Sequence, residues 1–180
     1  MTEDRALNTV DRFKISPLIR ITLLSFYIAL LIPLPFLAQV TSSPISPGVL
    51  TALTMAGGLF LWASLSEQIQ TTEDGIALVS ALPWRGWYLP WKNIQALKPR
   101  STGQGGTVYY FITAATDRAY LLPMRVVGFA RMVKLVEQQT GIDTQDVTPL
   151  AQPWMYLFLL VLTLGLLLMD SWTIWTALHA

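Results

Sequence analysis

The chain contains no cysteine and a single histidine, and both shortages restrict its chemistry. Without cysteine it can form no disulfide, thiolate metal site, iron–sulfur cluster or cysteine nucleophile. The histidine is His179, the penultimate residue, so a Ser-His-Asp triad or a two-histidine zinc site has no histidine in the expected folded body. We therefore predict no catalytic residue, no metal site and no cofactor, and expect that the protein is not an enzyme.

Charged residues are also scarce, at 13% of the 180 residues, and the net charge is only +1. Nucleic-acid binding requires a clustered basic face, so we expect no nucleic-acid partner. Hydrophobic residues make up 53% of the chain and the mean hydropathy is +0.47. These values are typical of a membrane protein rather than of an average soluble domain.

Residues 21–66 contain no Asp, Glu, Lys, Arg or His, and only the polar stretch 41–48 interrupts them. Residues 18–40 and 49–66 each approach or exceed the roughly 20 apolar residues that a helix needs to cross a bilayer. The sequence therefore predicts a transmembrane helical hairpin over residues 18–66. Because proline cannot continue a regular helix, we expect a kink near Pro33.

A third apolar run covers residues 153–169 and ends at Asp170, within a predicted third transmembrane segment and short tail over residues 149–180. Trp154 and Trp172 flank this run, as aromatic residues do at the two membrane interfaces. About 17 residues is the lower limit for a span, so the helix is either short or continues past Asp170.

Lysine and arginine occur before residue 21 and within residues 67–149, whereas the connector over residues 41–48 is uncharged. Positive charges mark the cytoplasmic side of a membrane protein. We therefore expect a multi-pass protein in which residues 1–17 form a cytoplasmic N-terminal segment and residues 67–148 also lie in the cytoplasm. The C-terminus would then lie on the opposite side.

Small residues in the second predicted helix form a candidate helix-packing site: Ala52, Ala56, Gly57 and Gly58. Small side chains let the backbone of another helix approach closely. Packing within this chain, against the first or the third helix, is favoured over packing against a separate partner.

Residues 67–148 have the composition of a small soluble domain, and their pattern predicts five or six short strands. We expect strands over residues 67–72, 76–82, 107–115 and 119–123, with residues 92–97 forming a strand or a short helical turn and residues 98–106 a loop. A helix is predicted over residues 125–140, with its apolar face formed by residues 126, 129, 130, 133 and 136 and its end at Gly141.

An antiparallel meander covered by one C-terminal amphipathic helix is typical of pleckstrin-homology-like domains, because the helix buries the apolar face of the curved sheet. The predicted fold class is thus an α+β membrane protein with three transmembrane helices and a small pleckstrin-homology-like domain. The turn before Gly75 carries Glu73 and Asp74, which repel phosphate and argue against phosphoinositide recognition.

Aromatic and basic residues alternate after the second predicted strand, and they form a candidate contact surface for a partner or for membrane lipids: Trp84, Arg85, Trp87, Trp91 and Lys92. The competing interpretation is that the tryptophans fill the small core, and we expect at least one or two of them to do so.

The segments Thr72-Glu-Asp-Gly-Ile76, Leu82-Pro-Trp-Arg-Gly86 and Trp91-Lys-Asn-Ile94 resemble bacterial membrane-anchored pleckstrin-homology-like proteins. Over about residues 18–148 the layout is also similar to the small photosystem I assembly proteins of cyanobacteria and chloroplasts. This resemblance implies a thylakoid assembly factor that holds photosystem subunits or pigment-protein intermediates. The third helix is an addition to that family's two-helix plan, and no site residues carry across.

We therefore expect a non-enzymatic assembly or accessory factor for a membrane protein complex, for which the resemblance suggests a photosystem. The alternative is a lipid-binding or ligand-binding module that acts in envelope maintenance. An intramembrane enzyme is disfavoured, because the spans contain no histidine, cysteine or paired carboxylates, and Asp170 is the acidic residue of the third run.

Overall fold

The chain divides into two compact units in a computed structural model that describes residues 9–41, 44–101, 107–113, 119–147 and 153–179. One unit comprises Met1–Ser16 and Ser66–Ala151 and contains the strands, so we call it the β unit. The other comprises Pro17–Leu65 and Gln152–Ala180, and we call it the helical unit. Each unit is discontinuous in sequence.

The chain runs through the β unit, then the helical unit, then the β unit again, and ends in the helical unit. In chain order they are β1 (Thr9–Lys14), α1 (Pro17–Leu31), α2 (Pro33–Val40), α3 (Pro47–Ser64), β2 (Gln68–Thr72), β3 (Gly75–Val79), β4 (Trp87–Pro90), a 3₁₀ turn (Trp91–Asn93), β5 (Ile94–Ser101), β6 (Thr107–Thr113), β7 (Ala119–Leu121), α4 (Phe129–Thr140) and α5 (Pro153–His179).

The helical unit contains three stretches that are long and apolar enough to cross a membrane: Pro17–Val40, Pro47–Ser64 and Pro153–Thr176. The first stretch is divided at Pro33, where α1 ends and α2 begins, which confirms the predicted break near this residue. Proline has no amide hydrogen, so the helix restarts with Pro33 in its first turn, where no intrahelical donor is needed. The third helix continues past Asp170 to His179.

Side-chain hydrogen bonds connect α1 to α5 and to α3. The Thr22 hydroxyl is fully buried and donates to the Tyr156 carbonyl of α5 at 3.3 Å. The Tyr27 hydroxyl donates to the Thr54 carbonyl of α3 at 2.7 Å. These polar side chains therefore pair with backbone oxygens inside an otherwise apolar bundle.

The β unit contains two antiparallel sheets, with strand orders β1-β2-β3-β4 and β5-β6-β7. The predicted strands that correspond to β2, β3, β6 and β7 are confirmed in type, with ends that differ by up to three residues. The predicted loop over residues 98–106 is wrong up to Ser101, because β5 continues to that residue. Pro99 is tolerated there since β5 is an edge strand, where no ladder donor is required.

Strand β1 was not predicted, and it comes from the segment that the sequence placed in a separate N-terminal tail. It pairs antiparallel with β2 across the whole intervening helical hairpin, with Phe13 opposite Ile69. Both side chains are buried in the core of the β unit. The N-terminal segment therefore completes the four-stranded sheet from Thr9 onwards.

Helix α4 packs its apolar face on this core and ends at Gly141, whose positive φ of 71° confirms the predicted glycine end. The helix begins at Phe129 rather than at residue 125, and Phe129, Met132, Val133 and Val136 are buried. Ala130, which the sequence assigned to the apolar face, is exposed. Residues 102–106 of the predicted loop and residues 114–115 of the predicted strand lie outside the described residues.

Candidate functional site

The turn between β3 and β4 contains part of the predicted contact surface, and hydrogen bonds define its shape. The Ser80 hydroxyl accepts from the amide of Leu82 at 3.1 Å, and the amide of Arg85 donates to the Leu82 carbonyl at 3.0 Å. The Leu82 side chain is buried, which anchors the turn to the domain. Residues 83–86 are left on the surface.

Trp84 is the most exposed tryptophan of the β unit, with 72% of its surface accessible. The exposed indole keeps Trp84 a candidate for contact with a partner or a lipid. The neighbouring Arg85 forms an ion pair with Glu67, at 3.0 Å between Nε and Oε1. Glu67 also accepts from the Ser80 hydroxyl at 3.4 Å, so the turn is held against the residue that precedes β2.

Trp87 begins β4 and contacts the other sheet rather than solvent. Its ring lies edge-on to Phe111, with centroids 6.2 Å apart, and 5.5 Å from the ring of Tyr120. These residues belong to β6 and β7, so Trp87 joins the two sheets. The ring is half-buried and packs on core aromatic residues, so little of it is available to a partner.

Trp91 is a core residue, which corrects its assignment to the contact surface. It is only 6% exposed, and its indole nitrogen donates to the Thr72 carbonyl at 3.0 Å. A buried indole needs such an acceptor, because an unpaired N–H in an apolar core is costly. The expectation that at least one tryptophan fills the core is thus confirmed. Lys92 follows in the 3₁₀ turn and is exposed.

The predicted contact surface is therefore divided. Trp84 and Arg85 lie together in the β3–β4 turn, while Lys92 lies after β4, beyond the other end of that strand. No signal in the local sequence separates the exposed Trp84 from the buried Trp91, because both are flanked by a proline and a basic residue. The two residues lie on either side of β4, Trp84 in the turn before it and Trp91 in the 3₁₀ turn after it, and only the fold places the two rings in different environments.

The small residues of α3 are also divided between two faces of the helix. Gly57 and Gly58 face α1, where a side chain at residue 57 would overlap the Tyr27 hydroxyl. The predicted packing against the first helix is therefore present at the two glycines. Ala52 and Ala56 are exposed. None of the residues of Pro47–Ser64 is buried, and large apolar side chains such as Leu53, Leu59 and Phe60 point outwards.

Acidic groups do not assemble into a site in the part of the chain that the structure describes. No three His, Asp or Glu side chains there are grouped so that they could hold a metal ion. Asp170 is partly exposed on α5, where about 17 residues of helix, or roughly 25 Å, separate it from Pro153. This position is near the far end of a hydrocarbon layer of about 30 Å if the helix spans one.

Fold and site together define a class: an α+β protein in which three long apolar helices accompany two antiparallel sheets and one amphipathic helix. Within this class the chain belongs to the family of a cyanobacterial protein from Synechocystis sp., described as "Uncharacterized protein slr0269". The two are 53% identical over 159 residues, which cover 85% of this chain and 80% of the relative. No family model matches the chain, and no solved structure matches it significantly.

Proposed function

We propose that the protein is a three-pass membrane protein whose β unit lies on the cytoplasmic side. The length and apolar character of three helices support this proposal. Lysine and arginine are concentrated before α1 and between α3 and α5, and by the positive-inside rule this distribution supports a cytoplasmic position for both regions. An odd number of spans then puts the end of α5 on the opposite side.

We further propose that the β unit is a pleckstrin-homology-like domain. The order of elements supports it: a four-stranded antiparallel sheet, a three-stranded antiparallel sheet and then a C-terminal helix that covers the core. The helical hairpin would be an insertion between the first and second strands of that domain. Such an insertion leaves the sheet intact, because β1 and β2 still pair.

In this proposal the protein is non-enzymatic and acts as an assembly or accessory factor for a membrane protein complex. The observation that carries it is the exposed apolar face of α3, where Ala52 and Ala56 form a smooth strip between larger exposed side chains. A helix of another subunit can approach such a strip closely and gain van der Waals contact. The cyanobacterial origin of the relative fits a photosystem in the thylakoid membrane as the complex.

Affinity purification from the native membrane in mild detergent tests this function. Mass spectrometry and an absorption spectrum of the eluate are expected to reveal photosystem subunits with bound chlorophyll. A colourless eluate that contains only this protein and lipid would instead support a lipid-binding module that acts in envelope maintenance. If the eluate contains other membrane proteins instead, the assembly function would still be supported, but with a complex other than a photosystem.

A matched pair of variants tests the strip on α3. Ala56→Leu is expected to remove most of the co-purified complex, because the larger side chain holds a partner helix away. Gly165→Leu is the control, since Gly165 of α5 is also small and exposed and has open space around its Cα. Equal recovery of partners with both variants would disprove the role of the strip.

A further inference from the structure

One end of the four-stranded sheet is where the chain leaves for the apolar helices and returns from them. Lys14 is the last residue of β1, and it pairs with Gln68, the first residue of β2. Only Ile15 and Ser16 separate β1 from α1, and only residues 65–67 separate α3 from β2. Three Cα–Cα steps from Lys14 to Pro17 extend at most about 11 Å, so a short connector joins this end of the sheet to α1.

The β3–β4 turn lies at this same end of the sheet. Val79 ends β3 and pairs with Gln68, so the chain that follows it turns on the side where β2 begins. The ion pair between Arg85 and Glu67 fixes the turn there, since Glu67 is the residue directly before β2. The exposed ring of Trp84 is therefore at the helix-connected end of the β unit.

A second exposed segment, between β7 and α4, lies at the same end. The amide of Ser16 donates to the Arg125 carbonyl at 3.1 Å, and the amide of Val127 donates to the Lys14 carbonyl at 2.8 Å. Ile15 and Val126 also form an isolated bridge. Arg125 and Val127 are both exposed, the valine by 55%.

Four of the exposed side chains at this end form what we call the junction rim: Lys14, Trp84, Arg125 and Val127. Two of them are apolar and two are basic, while the nearby carboxylate of Glu67 is mostly buried and paired with Arg85. Indole rings and basic side chains both favour the headgroup layer of a bilayer, where the ring meets the acyl boundary and the cation meets phosphate.

We propose that the junction rim binds the headgroup layer of the membrane, with Trp84 and Val127 reaching the acyl boundary and Lys14 and Arg125 contacting lipid phosphates. The proposal rests on the proposed membrane insertion of the helices, because the connectors then hold the rim at the bilayer surface. A protein partner is the less favoured occupant, since indole and basic side chains beside short connectors to apolar helices match a headgroup layer.

Site-directed spin labelling tests the rim directly, because the natural chain has no cysteine and a single introduced thiol is the only label site. Ala81→Cys places a nitroxide in the β3–β4 turn and keeps Trp84, and Val127→Cys reports on the second segment. Glu73→Cys is the matched control, since Glu73 is exposed in the β2–β3 turn at the opposite end of the same sheet. Leu53→Cys, on the exposed face of α3, calibrates the bilayer interior.

The full-length labelled proteins are reconstituted in vesicles of phosphatidylcholine and phosphatidylglycerol. Collision of each label with oxygen, which partitions into lipid, is compared with its collision with a water-soluble nickel complex. We expect the labels at residues 81 and 127 to show an excess of oxygen collisions and the label at residue 73 to show an excess of nickel collisions. Adding Trp84→Ser to Ala81→Cys is expected to abolish the oxygen excess at residue 81.

The label at residue 53 separates the two ways in which the result could be negative. Water-like collisions at residues 81 and 127, with lipid-like collisions at residue 53, would overturn the junction rim and leave the membrane insertion intact. Water-like collisions at residue 53 as well would overturn the proposed insertion, and the rim with it. An oxygen excess at residue 81 that survives Trp84→Ser would remove Trp84 from the membrane contact.

Discussion

At the scale of single residues, the tryptophans of the β unit have three different roles although they are close together in the chain. Trp84 is exposed, Trp87 joins the two sheets and Trp91 is buried with its indole nitrogen paired. Trp84 lies in the turn before β4, Trp87 begins β4, and Trp91 begins the 3₁₀ turn that follows it. We therefore expect mutations of these tryptophans to change the free energy of unfolding by different amounts.

Trp91→Ala is expected to lower the free energy of unfolding of the β unit by about 3–5 kcal/mol, since it removes a large buried ring and leaves the Thr72 carbonyl without its donor. Trp84→Ala is the matched control. It should change the free energy of unfolding by less than about 0.5 kcal/mol, because the ring is exposed. Denaturation of the detergent-solubilised protein, followed by near-ultraviolet circular dichroism, measures both. Equal losses would contradict the assigned burial.

At the scale of elements, β1 is the clearest case in which a polar segment turns out to be structural. It supplies the edge strand of a sheet whose other strands come much later in the chain. Its core contribution is Phe13, which is 1% exposed and lies under the guanidinium of Arg131, 5.2 Å from the ring centroid. Arg131 also pairs with Asp11 at 2.7 Å, so α4 is bonded to β1.

Phe13→Ala is therefore expected to cost the β unit about 3–5 kcal/mol of unfolding free energy, as for other buried aromatic residues. Lys14→Ala, one position later and exposed, should cost less than about 0.5 kcal/mol. Urea titration of the two variants in the same detergent compares them. A neutral effect of Phe13→Ala would mean that β1 is not part of the core.

The helices provide a second test at the scale of elements, which uses two glycines. Gly57→Ala is expected to destabilise the packing of α1 against α3 by about 1–3 kcal/mol, because the added methyl group overlaps the Tyr27 hydroxyl and breaks its bond to Thr54. Gly165→Ala meets no atom within 4 Å, so it should be neutral or stabilise α5 slightly. Thermal unfolding of the purified variants distinguishes the two outcomes.

At the scale of the whole molecule, the proposed topology places the two ends of the helical hairpin on one side and its connector on the other. The absence of cysteine makes this measurable with single thiols and a membrane-impermeant reagent. Glu73→Cys should react only when the cytoplasmic side is accessible. Thr41→Cys, at the exposed start of the connector, should react only from the opposite side. Leu53→Cys should react from neither side, and reaction of Glu73→Cys and Thr41→Cys from the same side would refute the topology.

Much of the helical unit could be predicted because its signals are local. Pro33 removes an amide donor, and uninterrupted apolar runs specify helices of a given length whatever surrounds them. The β unit has local signals as well, since Gly141 accepts the positive φ that ends α4. The hairpin around Glu73 and Asp74 is also local, because a glycine follows directly and the strands on both sides are adjacent in sequence.

The candidate site was predicted only in part, because its residue types are visible in sequence and their exposure is not. Trp84 and Trp91 share a similar local pattern, so no periodicity separates a surface ring from a core ring. Ala56 and Gly57 are likewise neighbours, and helix rotation alone places the first outwards and the second against Tyr27.

The sequence by itself determined that this protein has three long apolar helices and a strand-rich region, since each depends on composition or on short-range pattern. Only the tertiary structure decided that β1 joins β2, that the strands divide into two sheets, and that Lys14, Trp84 and Arg125 lie at one end of the β unit. Pairing between residues separated by a whole helical hairpin depends on complementary burial across the sheet, which no local pattern specifies.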